Sequence, residues 1–156
     1  MNNLVRKDFF IMAGLVIIAS IIGSFTTPYM GAASFSYFLL CFGLTFRKTN
    51  KNIHARLMGC AIVIDIALVL ILETQRSAIN TFVSFSLETM QIGHIVASTL
   101  ATVLYIPVAI LGYKLLTGTS TTAKARLWHI RLGVSAYVLR TIGFFLMFSL
   151  LTHVTK

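Results

Sequence analysis

The chain has 156 residues, of which 57% are hydrophobic and 11% charged, and its mean hydropathy is +0.88. A soluble domain carries about a quarter charged residues, and one this small has too little interior to hide so much apolar surface. The hydropathy also excludes disorder, so the sequence is that of an integral membrane protein with room for four to six spans of roughly 20 residues. Thirteen Lys+Arg against four Asp+Glu leave a net charge of +9. With no soluble basic domain to carry it, that excess is not a nucleic-acid signal; basic residues collect in cytoplasmic loops. Cys41 and Cys60 both lie in apolar stretches, which argues against a disulfide framework.

Five apolar stretches follow one another, at about residues 9–27, 29–46, 54–72, 92–116 and 127–151. Backbone polar groups must be satisfied within each segment in lipid, and the alternation of a barrel strand is missing, so each stretch predicts a helix. The first follows Arg6 and Lys7 but lacks a small-residue cleavage site and exceeds a signal-peptide apolar run, so it predicts an uncleaved span. The connection over residues 74–90 is moderately apolar, with Phe82, Val83, Phe85 and Leu87, and reads as an interfacial helix or a re-entrant segment. No repeat or linker divides the chain. The expected architecture is a single all-α polytopic bundle of about five transmembrane helices.

With five spans, nine bases fall on one side: Arg6, Lys7, Arg47, Lys48, Lys51, Arg56, Lys114, Lys124 and Arg126. Two, Arg76 and Lys156, fall on the other. That asymmetry places the N-terminus on the cytoplasmic side and the C-terminus on the periplasmic or extracellular side of the membrane.

Ionisable residues inside spans are costly and mark candidate sites. Asp65 follows His54 by eleven residues, and Arg140 follows His129 by eleven. Eleven residues make almost three turns, so each pair shares a helix face over about 16 Å. If Asp65 pairs with Arg140 near the bilayer midplane, spans three and five face each other, and His54 approaches His129 near the inner side. Two neutral imidazoles facing across a bundle suit a haem iron. Gly59 and Gly133 would leave room for a macrocycle edge, or serve helix packing. The competing reading of both histidines is interfacial, since they adjoin basic loops. His94, near the outer side, is a third candidate ligand. His153 lies about 120° around its span from His129 and is not expected to bind. Met58 reads as core, Tyr105 shares a face with His94 and can reach the Asp65–Arg140 pair, and Pro107 falls inside span four. Phosphate loops, paired-cysteine metal motifs and a hydrolase triad in recognisable context are missing.

Some of these residues also carry a resemblance. Ala32-Ala33-Ser34, Leu39-Leu40 and Gly43, a basic turn, and then Ile53-His54-Ala55-Arg56-Leu57-Met58 resemble the domain-of-unknown-function 420 family of small bacterial membrane proteins, some of which act in cytochrome c oxidase biogenesis. Gly93-His94-Ile95-Val96-Ala97, Pro107 and Ala125-Arg126 are similar to its later motifs. The resemblance covers about residues 31–150 and rests on short motifs. Two of the family's four histidine positions fall near Arg76 and Thr121, so His54 and His94 carry over and His129 stands as a displaced substitute. His129-x-x-x-Gly133 and the four-helix arrangement also resemble transmembrane b-type cytochromes.

The resulting expectation is a membrane protein whose histidines His54, His129 and His94 bind haem b, or alternatively copper. It would serve respiratory electron transfer or terminal-oxidase assembly beside a larger complex such as a terminal oxidase, rather than act as an independent enzyme. The alternative is a cofactor-free accessory subunit of a larger respiratory or transport complex. A third reading makes Asp65 and Arg140 a transport relay; a five-span chain with no repeat argues against it.

Overall fold

A computed structural model describes residues 28–76, 89–119 and 122–148. The predicted span at 9–27, most of the connection at 74–90, the end of the last span and His153 lie outside the described residues. Four helices make up the described chain, α1 (Pro28–Thr45), α2 (Lys51–Arg76), α3 (Thr89–Leu116) and α4 (Ala123–Met147), and it contains no strand. Three of them, over Lys51–Leu72, Thr89–Leu116 and Ala123–Met147, are long and apolar enough to cross a membrane.

The helix ends follow from local chemistry. Pro28 opens α1, where a missing N–H costs nothing. Asn50 Oδ1 accepts from the N–H groups of Asn52 and Ile53 and caps α2, and Thr122 Oγ1 caps α4 by accepting from Ala125 N–H. After α3, Gly118 adopts φ +73°, the left-handed conformation that ends helices and favours glycine. The helices run past the apolar stretches: α2 starts at Lys51 and continues to Arg76, and α4 starts at Ala123. Hydropathy marks only the lipid-buried part of a helix, whereas capping decides where the backbone stops. Helix α3 continues through Pro107, as membrane helices tolerate.

The described residues form two compact units, one up to Ile64 and one from Asp65 onward. In the first, α1 packs on the beginning of α2 through small residues. Ser34, Ser36 and Ala61 are fully buried, and the Ser36 hydroxyl donates to the Ala61 carbonyl at 3.0 Å. In the second, Ala97, Ala101, Tyr105 and Val108 of α3 and Ala136, Arg140, Gly143, Phe144 and Met147 of α4 form the buried stripes. Their three- and four-residue spacing lies along one face of each helix. Large apolar side chains occupy the opposite faces, among them Val103, Ile106, Val134, Val138 and Phe145. That distribution suits lipid contact, because a bilayer does not drive Val and Ile inward as water does.

Candidate functional site

At the centre of the second unit is a three-residue polar cluster. Arg140 Nε donates to Asp65 Oδ2 at 2.7 Å and its Nη2 to Asp65 Oδ1 at 2.8 Å. The Tyr105 hydroxyl donates to the same Oδ2 at 2.9 Å. The Arg140 and Asp65 side chains are 7% and 6% exposed. A fork-to-fork ion pair with a third donor satisfies the carboxylate on both oxygens, which is the condition under which charges persist away from water. The cluster ties α2, α3 and α4 together. Tyr105→Phe removes one donor and leaves the ion pair; about 1 kcal/mol of stability is the expected loss, read from denaturant unfolding in detergent.

The histidines share one geometry. His54 Nδ1 lies 2.8 Å from the Gly43 carbonyl oxygen, at the end of α1. His94 Nδ1 lies 2.7 Å from the Gly143 carbonyl oxygen on α4, and His129 Nδ1 lies 3.1 Å from the Val108 carbonyl oxygen on α3. A carbonyl only accepts, so Nδ1 carries the hydrogen in each ring and Nε2 is the lone-pair nitrogen of the neutral imidazole.

Glycines line the helix contacts beside these rings, and at Gly112 the ring itself fills the space a side chain would take. A Cβ on Gly43 would come within 2.9 Å of Met58 Sδ and 3.3 Å of Leu57 Cβ. One on Gly112 would meet His129 Cε1 at 3.0 Å, and one on Gly143 would meet Ser98 Oγ at 2.6 Å. The two glycines expected to open space behave differently: Gly59 has nothing within 4 Å of a Cβ position, and Gly133 has only Val108 Cγ1 at 4.0 Å. Sequence reasoning missed Gly112 and Gly143, whose roles depend on the approach of the facing helix and leave no signal in the sequence.

His94 and His129 occupy opposite ends of the α3–α4 pair. His94 reaches Gly143, and His129 lies fourteen residues before Gly143 on the same helix, a separation of about 21 Å. These two therefore cannot share one iron or copper ion. His54 belongs to the first unit, with its own carbonyl partner. Among the described residues no group of three or more His, Cys, Asp or Glu side chains is placed to hold a metal ion. Comparison of the chain with known protein families, characterised proteins and solved structures returned no match.

Proposed function

We propose that this protein is a five-span membrane protein of the inner membrane whose histidines bind haem b or copper through Nε2, in the service of respiratory electron transfer or terminal-oxidase assembly. The observation that supports it is the shared orientation of His54, His94 and His129. Each Nδ1–H is anchored to a backbone carbonyl of another helix. Ligating histidines are fixed in this way, since the anchor sets both the tautomer and the direction of Nε2. Neutral imidazole nitrogen is a suitable donor for haem iron and for copper, and bound haem would supply one-electron transfer. The resemblance to the domain-of-unknown-function 420 family, carried by His54 and His94, points the same way, while Arg76 and Thr121 mark where the chain departs from it. His54, His129 and His94 are the proposed ligands, with His94 serving separately from His129.

His54→Ala and His129→Ala are each expected to remove bound haem from the purified protein, and His153→Ala to leave it in place. Absorbance of the reduced and oxidised protein checks both; haem retained by the first two variants would contradict the assignment. The topology is tested independently by a reporter fused after Lys156, expected to be active outside the cytoplasm and contradicted by cytoplasmic activity.

A second reading is supported by the glycines. The close contacts of Gly43 with Met58 and Leu57 and of Gly112 with the His129 ring also fasten helices without any cofactor, as expected of an accessory subunit that packs into a larger membrane complex. On that reading the protein is colourless, and each histidine variant loses stability only.

A further inference from the structure

The beginning of α4 carries two cations that the described chain does not neutralise. Lys124 and Arg131 are exposed, and Trp128 between them is 46% exposed. At 100° per residue the three fall within about 60° of one another, and about 130° around the helix from the buried stripe of Ala136, Arg140, Gly143 and Met147. They therefore form a face of their own, directed away from α3. The chain has only four acidic residues, and among the described residues the one ion pair is Arg140 with Asp65.

Depth sharpens the problem. Helix α4 has 25 residues, about 37 Å, and so overshoots a hydrocarbon core of about 30 Å. Lys124, in its first turn, lies at headgroup level. Trp128 sits one turn deeper, where indoles favour the interface, and Arg131 lies about 10 Å below Lys124. Side chains on a helix lean toward its N-terminus, which here is toward the membrane surface. The Arg131 guanidinium thus rises past Trp128 while Lys124 stands above it, and both cations converge on the level of the lipid phosphates. A cation at the hydrocarbon boundary is costly unless it is paired, and the anion available at that depth is the phosphodiester of a lipid.

We infer that Lys124, Trp128 and Arg131 form a binding site for the headgroup of an anionic phospholipid. Arg131 engages the phosphodiester through its planar fork, Lys124 supplies a second positive charge, and Trp128 packs along the glycerol and upper acyl chains. The charge match commits the site to an anionic over a zwitterionic lipid. It is independent of whether the histidines bind a cofactor.

Trp128 is the single tryptophan of the chain, so the site contains its own probe. The full protein is purified in mild detergent, and quenching of Trp128 fluorescence is compared for phosphatidylglycerol and phosphatidylcholine bearing brominated acyl chains. With each basic side chain strengthening binding about fivefold, phosphatidylglycerol is expected to be preferred about 25-fold. The preference should fall to about fivefold in Arg131→Gln or Lys124→Gln and vanish in the double variant. Arg131→Lys, which keeps the charge, should keep most of it. Arg126→Gln, the same loss of charge on another face of the same turn, should leave it unchanged, which separates a site from general surface charge. Equal quenching by the two lipids in the unaltered protein, or an Arg126→Gln effect as large as that of Arg131→Gln, would overturn the inference.

Discussion

Asp65→Leu is expected to destabilise the protein by about 3–5 kcal/mol, and Asp65→Leu combined with Arg140→Leu by much less. The single change takes the carboxylate from Arg140 Nε and Nη2 and from the Tyr105 hydroxyl together. A guanidinium then stays buried without its counter-charge, which is the costly state. Removing both charges replaces a desolvated pair with apolar groups, and that exchange is often close to neutral. Unfolding in detergent with increasing denaturant measures the three proteins side by side. If the single variant is as stable as the double, the ion pair is not what holds α2 against α4.

Gly143→Leu should be the most damaging of the glycine substitutions, costing about 3 kcal/mol. A Cβ there lies 2.6 Å from Ser98 Oγ and also 3.4 Å and 3.7 Å from the Ser98 backbone nitrogen and Cα. The hydroxyl can rotate aside, but the backbone cannot move without separating α3 from α4, so overpacking takes effect in full. Because the Gly143 carbonyl also receives His94 Nδ1–H, the same variant should loosen that ring. Gly133→Leu provides the contrast: its Cβ position meets only one atom, at 4.0 Å, and a change within about 0.5 kcal/mol is expected. Thermal unfolding of the two variants checks the difference, and equal losses would mean that the seam is not closed at Gly143.

The membrane class and the helical content were legible in the sequence because lipid leaves a spanning segment so few alternatives. Three of the five expected spans were legible for the same reason, and their ends were not: Asn50 and Thr122 decide where α2 and α4 begin, and hydropathy does not register a cap. The eleven-residue spacings drew attention to Asp65, Arg140 and Tyr105 because a charge inside an apolar run demands a partner. The histidines were harder. Spacing placed each on a helix face, but the partner of each Nδ1 is a main-chain carbonyl on another helix, and a carbonyl has no signature in sequence. Glycine roles depend on the approach of a second helix, so Gly59 and Gly133 could not be told from Gly112 and Gly143 by composition alone.

The proposal that these histidines are ligands is tested most directly on the unaltered protein. The full chain is purified in mild detergent, and its absorption spectrum is recorded before and after reduction beside a metal analysis of the same sample. A haem band that sharpens and shifts on reduction, or copper bound in stoichiometric amount, is the predicted result; a colourless protein free of iron and copper would contradict it.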